Sequence, residues 1–499
     1  MTEKDNTQQL NKNKTSSQNL LKKLENLSPE KRSLLTSRLK SKNNSQSLQS
    51  TIIAQQKIGP TLISLTQEWW WLLEQLQPNS AAFNQSCSVR FTGQLNISIL
   101  EKSINEVIAR HENLRTTFIV IDGYPNQNIV ESLYVDLPIV ELVKEPNKEI
   151  DITIKQLITK EVSKPFDLSK LPLLRACLLK ISNTDHILVI TNHHLILDGW
   201  SAGLLAKEIS TIYQAFYQGK PSPLPALPIQ YADFAIWQRQ YLQGEVLENK
   251  LSYWKQKLAN ASASLDLPTD YPYPLQQSFA GRRSSFFIPN DAKERLKNIS
   301  QLQEATPFMG FLAVFKVLLY RYCQQKDIVV GTPVANRTLE EVKPLIGLFA
   351  NNLPLHTALV GNPSFNEFLA QVNKVCLEAY KHQDLPFNNL LSQVQTQRIN
   401  GRSALFQTVF LYQSALISKL SQHTDFSISM FLGPREEATM TIVDLSFEMS
   451  EFGFANFIYR KDLFEEATIE RMKNHFLNLI SAIVSNPNQP ILELSLMTD

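Results

Sequence analysis

Residues 186–209, HILVITNHHLILDGWSAGLLAKEI, constrain the fold more than any other stretch of the chain. A β-rich apolar run feeds a short polar turn, and a helical pattern follows at once. A chain with such a junction is neither all-helical nor all-strand. Further strand-like runs stand at 87–92 (CSVRFT), 116–121 (TTFIVI), 283–289 (RSSFFIP) and 328–334 (IVVGTPV). Helical spacing of apolar residues appears at 97–110, at 203–218, near 305–323 and in terminal helices around 465–485. Strands and helices mix in both halves, so the predicted fold class is α/β.

The length of 499 residues implies about two to three domains. Residues 1–17 are rich in Asn, Gln, Lys, Ser and Thr, a composition that predicts disorder. Residues 18–41 place leucines at helical spacing, and Ser28-Pro29 reads as a cap followed by a first-turn proline, which predicts two short amphipathic helices. These helices either pack on their own domain or dock onto another protein. A linker follows to Gly59-Pro60, and the proline-rich stretch 219–229 marks a second boundary. The expected domains are an N-terminal segment at 1–60, an N-terminal lobe at 61–228 and a C-terminal lobe at 229–499.

Other features remove function classes. The net charge of +2 offers no strong field for nucleic acid or an anionic membrane. No run of about eighteen apolar residues suggests a membrane span, and the polar N-terminus lacks the apolar core of a secretory signal. Cys87, Cys177, Cys323 and Cys376 are far apart, with neither a disulfide framework nor zinc-ligand spacing. Together these predict a cytoplasmic protein with reduced thiols.

Chemistry concentrates where strand meets helix, at Asn192, His193, His194, Asp198, Gly199 and Ser201. One reading takes His194 as general base or hydrogen-bond acceptor, because imidazole exchanges a proton near cellular pH. Asp198 then organises the turn through an ion pair, and Gly199 allows close approach or an unusual φ. A metal site from His193, His194 and Asp198 is a poor fit, because successive strand residues point to opposite faces. Gly199-Trp200-Ser201-Ala202-Gly203 is a literal GxSxG sequence and raises a serine hydrolase or thioesterase using Ser201. The chain has no adjacent glycine pair to build the oxyanion loop of that class. The remaining reading is a set of buried polar residues satisfied by their neighbours.

HHLILDG at 193–199 resembles the HHxxxDG signature of the condensation domain family of non-ribosomal peptide synthetases, and the family's other motifs occur in the family's order. SLTQEWWWLLEQLQPNSAAFN (64–84) resembles the first motif and RHENLRTTF (110–118) the second. YADFAIWQ (231–238), IGLFANNLPLH (346–356), HQDLPFNNLL (382–391) and RSALFQTVF (402–410) resemble the later ones. The resemblance covers about 62–496. It departs at Thr66, at Trp69, which stands where a basic residue is usual, at Asn352 in place of threonine, and in the last motif, where Arg402 is the obvious basic residue.

The resemblance implies two chloramphenicol-acetyltransferase-like lobes in a V-shaped pseudo-dimer, preceded here by the short helical N-terminal segment. It implies an acyltransferase that forms an amide between a donor acyl or peptidyl thioester and an acceptor aminoacyl thioester. Donor and acceptor peptidyl carrier proteins present both on phosphopantetheine arms, and the chain itself, a monomer, binds no cofactor. His194 becomes the catalytic residue, with His193, Asp198 and Gly199 beside it. Arg115 is expected to pair with Asp198, and Trp200, Ser201 and Asn351 to line the substrate tunnel. The N-terminal helices are expected to meet adjoining synthetase domains or subunits. The order Trp200-Ser201 disfavours an epimerization-type homologue, and the intact His194 and Asp198 disfavour a non-catalytic carrier-binding one.

Overall fold

A computed structural model of the chain describes residues 51–76, 80–142, 150–262, 264–275, 279–394, 405–413, 426–430 and 439–497. The expected helices at 18–41 and Arg402 lie outside the described residues. Ala54–Asp499 forms one unit by its internal contacts.

The first half contributes strands β1 (Thr61–Leu62), β2 (Asn84–Gly93), β3 (Thr116–Ile121), β4 (Tyr124–Ile129), β5 (Ile139–Glu141), β6 (Leu174–Ser182) and β7 (Asp185–His193). Its helices are α1 (Leu65–Leu76), α2 (Ile97–Arg110), α3 (Ile150–Val162) and α4 (Gly199–Tyr217). The apolar run read from the sequence is β7, and it lies inside a five-stranded sheet. The run is continuous because both faces are covered. Leu188 and Ile190 pack among Ile104 and Val107 of α2 and Leu205 and Ile209 of α4, whereas Ile187 and Val189 pack on Ile154 of α3. Antiparallel pairing with β2 and β6 fixes the register of β7, so its C-terminal end, His193, is held opposite Asn84.

The second half begins with helices α5 (Tyr231–Tyr241) and α6 (Gly244–Leu258), then β8 (Ala280–Phe287), α7 (Asn290–Leu302), α8 (Pro307–Cys323), β9 (Asp327–Val334) and β10 (Asn351–Ala358). It continues with α9 (Phe365–Tyr380), α10 (Phe387–Leu391), β11 (Thr408–Gln413), β12 (Phe426–Met430), β13 (Thr439–Met440), β14 (Leu445–Ser450), β15 (Phe454–Arg460) and α11 (Glu466–Ser485). The terminal helices expected around 465–485 are the single helix α11. A seven-stranded sheet of order β10-β9-β11-β14-β15-β8-β13 carries this half. Under it runs α8, started by the Thr306 hydroxyl cap and Pro307 and buried from Met309 to Leu319. No single helix among the described residues is long and apolar enough to cross a membrane.

Two pieces from beyond residue 228 pack with the first half. Strand β12 pairs antiparallel with β2 and forms an edge of the five-stranded sheet. Helix α5 bonds to the start of α1: Leu65 N donates to Gln238 Oε1 at 2.9 Å, and Arg239 Nε donates to Ile63 O at 2.6 Å. The second half therefore lends a strand and a helix to the first.

Candidate active site

Beyond β7 the chain makes one tight turn, His194–Ile196, before Asp198 caps α4. The carbonyls of Leu195, Ile196 and Leu197 each have a donor from a different residue. Gln67 Nε2 donates to Leu195 O at 3.0 Å, Asn113 Nδ2 donates to Ile196 O at 2.6 Å, and His194 Nδ1 donates to Leu197 O at 3.0 Å. The backbone N–H groups of His193 and His194 bond to Leu173 O and Phe83 O. A short loop with this much support is rigid, which is what a positioned catalytic group needs.

The bond from His194 Nδ1 to a carbonyl fixes the tautomer, because a carbonyl only accepts. In the neutral ring the lone pair is therefore on Nε2. The ring of Trp70 stands edge-on at 4.2 Å between centroids. Burial pushes the His194 pKa below 6.5, partly offset by the Leu197 bond and the nearby Asp198 charge. The ring is thus a neutral acceptor at pH 7. His193 differs: it is 1% exposed, its Nδ1 accepts from Leu195 N, and its Nε2 faces Glu74 Oε2 at 3.3 Å. The two rings are committed to different partners, which separates them as ligands for one ion.

Asp198 is 1% exposed and sits in a lattice of donors. Its Oδ1 accepts from Ser201 N at 2.8 Å and from Arg337 Nη2 at 3.4 Å, and its Oδ2 accepts from Phe349 N at 3.0 Å and Ala350 N at 3.1 Å. The cation paired with Asp198 is therefore Arg337, not the expected Arg115. Arg115 ends the short helical turn Glu112–Arg115, and its Nη1 donates instead to Val130 O beyond β4. In the RHENLRTTF motif, His111 and Asn113 reach the site. Asn113 holds the turn, and His111 accepts from Ile346 N at 3.3 Å while bonding Glu208 at 2.8 Å.

Arg337 gathers four acceptors: Val342 O at 2.6 Å, Leu345 O at 2.7 Å, Ser201 Oγ at 2.6 Å and Asp198, with its guanidinium 4.1 Å from the centre of the Phe349 ring. Residues 346–350 are thus pinned along their length. Tyr231 OH adds a bond to Leu348 O at 2.7 Å, and a Cβ on Gly347 would meet the Tyr231 ring at 2.0 Å, so only glycine fits there.

The remaining expected site residues divide. Ser201 is fully buried, donates to Gly347 O at 2.8 Å, and accepts from Gly347 N and Arg337. Its hydroxyl is a clamp between α4 and residue 347, and among the described residues no histidine is bonded to it as the nucleophile of a GxSxG elbow would require. Asn351 is also buried. Its amide donates to Gln383 O and Leu385 O and accepts from Phe387 N, which ties β10 to α10 and takes it out of the tunnel wall. Trp200 is partly exposed, with Nε1 donating to Lys343 O at 3.3 Å. Gly199 does not adopt a left-handed φ, and a Cβ there would meet nothing within 4 Å. Its smallness leaves open space at the start of α4. A small apolar pocket lies between the sheet and α4, lined by Val89, Leu188, Ile190, Leu197 and Leu205, with Asn192.

The pattern of the condensation domain family matches residues 58–499. The chain belongs to the condensation domain family. This condensation domain is 41% identical over 438 residues to a component of the linear gramicidin synthase of Brevibacillus parabrevis, covering 87% of this chain and 8% of that one. It is 34% identical to phosphinothricin tripeptide synthetase PhsC of Streptomyces viridochromogenes, covering 95% of this chain and 44% of that protein. The chain thus spans less than half the length of either synthetase. In fold it is similar to the X-domain from teicoplanin biosynthesis, with a TM-score of 0.79 at 22% identity over 90% of this chain and 100% of that one. The first condensation domain of the calcium-dependent antibiotic synthetase has a TM-score of 0.74 at 16% identity, covering 89% and 100%.

The buried pair and the half-buried His194 ring both have measurable consequences. Arg337→Ala strands a buried carboxylate and should cost roughly 3–5 kcal/mol, whereas Arg115→Ala loses about one hydrogen bond, near 1 kcal/mol. Urea unfolding of the two variants should rank them in that order. An NMR titration of His194 should give a midpoint below 6.5. Because the folded group binds its proton less readily than the unfolded one, its contribution to stability is lost as pH falls below 6.5.

Proposed function

We propose that this condensation domain is an acyltransferase that joins a donor acyl or peptidyl thioester to an acceptor amine, both carried on phosphopantetheine arms of carrier proteins. The observation that carries the reading is the His194 ring, whose Nδ1–H is tied to Leu197 O so that Nε2 is the acceptor. The acceptor nitrogen attacks the thioester carbon, the C–S bond breaks, and the donor arm leaves as a thiol. His194 Nε2 takes or holds the proton of the attacking amine, and Gly199 leaves room beside it. The thioester already has a good leaving group, so orientation of the amine supplies much of the rate. Support comes from the family membership and from the synthetases this chain is similar to.

In this reading residues 61–228 and 229–499 form the two lobes, which meet around the pinned loop 346–350, and the apolar pocket beside Leu197 takes an aliphatic part of a substrate. A donor carrier and an acceptor carrier deliver their arms from opposite sides, and the N-terminal segment meets a neighbouring synthetase domain or subunit. We place the reaction in the cytoplasm.

The test is intact-mass measurement of an aminoacyl-loaded acceptor carrier mixed with a loaded donor carrier and the full chain. The acceptor should gain the mass of the donor acyl group, and His194→Ala should slow that gain by roughly 10²–10⁴-fold. Hydrolysed donor without any acceptor gain would contradict the reading. Gly199→Ala adds a methyl group into open space at a helix start, so thermal stability should hold while the condensation rate falls; an unchanged rate would show that no substrate passes there.

A further inference from the structure

We infer that Glu74 is a positioning residue for the reaction at His194, acting through His193. The inference rests on the condensation reading above and deepens it. Helix α1 presents Gln67, Trp70 and Glu74 at the spacing i, i+3, i+7, one face of a helix. All three meet the histidine turn. Gln67 holds Leu195 O, Trp70 covers the His194 ring, and Glu74 faces His193 Nε2.

The protonation of His193 follows from its two bonds. Leu195 N donates to Nδ1 at 3.1 Å, so Nδ1 carries no proton and the neutral ring carries it on Nε2. That N–H points at the Glu74 carboxylate in a place closed to water, since Glu74 is 5% and His193 1% exposed. Phe83 and Phe166 stand edge-on to His193 at 6.3 and 6.4 Å between centroids and offer it no polar alternative. Phe83 also stands edge-on to Trp70 at 5.7 Å. The carboxylate therefore selects one tautomer of His193. That tautomer keeps Nδ1 available to Leu195 N, and the Leu195 bond caps the turn on which His194 sits. Burying a carboxylate is expensive unless it is paired, and among the described residues the partner of this one is His193.

If Glu74 is removed, the Nε2–H of His193 loses its acceptor while staying buried. The proton then moves to Nδ1 or the ring turns, and either change breaks the bond to Leu195 N. The fold around the turn survives through Gln67, Asn113 and Asp198, but His194 is no longer aimed. Substrate binding is spared, since Glu74 is buried against His193.

The experiment compares the full chain with Glu74→Leu, which deletes the acceptor, and Glu74→Gln, whose amide oxygen keeps it. The readouts are thermal stability, kcat and the apparent KM for each loaded carrier, and the ¹⁵N shifts of His193. Glu74→Leu should lower kcat about ten- to a hundredfold with both KM values unchanged, the size expected when a catalytic group is displaced. Glu74→Gln should restore most of the rate. His193 should carry its proton on Nε2 in the wild type and Glu74→Gln, and on Nδ1 in Glu74→Leu. A folded Glu74→Leu protein with wild-type kcat overturns the proposal, as does a wild-type His193 protonated on Nδ1. The wild-type tautomer needs no variant and no substrate, so it can overturn the proposal even if Glu74→Leu does not fold. A wild type that forms no amide would count against the reaction assigned above, and the tautomer would still decide this point.

Discussion

Taking a carboxylate out of water costs several kcal/mol unless its lone pairs find donors. Asp198 finds four, drawn from three separate stretches of chain: Ser201 on its own helix, Arg337 after β9, and the backbone of Phe349 and Ala350. None of these can be withdrawn cheaply, because each leaves a buried charge short of a partner. The carboxylate thereby joins the start of α4 to the loop that leads into β10. Arg337 extends the same lattice to Val342 and Leu345, and Ser201 and Tyr231 close it over Gly347 and Leu348. The DGWS string is thus chiefly an architectural device, and its consequence for chemistry is that His194, four residues earlier, sits on ground that does not shift.

The histidine turn has its own supports. The carbonyls at 195 and 196 are taken by Gln67 and Asn113, and the carbonyl at 197 by the His194 ring itself. A local bond orients the His194 ring and longer ones hold the backbone beneath it. Burial lowers the basicity of His194, while Asp198 and Leu197 pull the other way. The result is a ring held below its ordinary pKa, with Nε2 left as acceptor.

Much of this was legible in the sequence where the signal is local. The strand, turn and helix at 186–209 appear where the apolar run and the polar break place them, and α2, β3 and α8 follow their periodicity closely. The site histidines could be found because they sit together. Partners far apart in sequence could not. Arg337 lies 139 residues from Asp198 and is one polar residue after an apolar strand, with nothing local to mark it. Arg115 sat in a stronger motif and drew the assignment, yet the turn it ends aims it at Val130. Ser201 and Asn351 carry polar groups that suit a tunnel wall, and only three dimensions show those groups spent on backbone partners. Gln67 and Glu74 had a signal, a polar stripe at helical spacing through WWW, whose meaning depended on what that face of α1 covers.

The proposed amide formation takes place at His194 Nε2. A structure of the chain with an amide-linked product analogue spanning the two phosphopantetheine arms tests it most directly. The amide nitrogen should lie within about 2.6–3.2 Å of Nε2, beside the open space at Gly199, with Asp198 and Ser201 unmoved and out of contact. An analogue whose nitrogen lies away from Nε2, or whose carbonyl carbon rests against Ser201 Oγ, would contradict it.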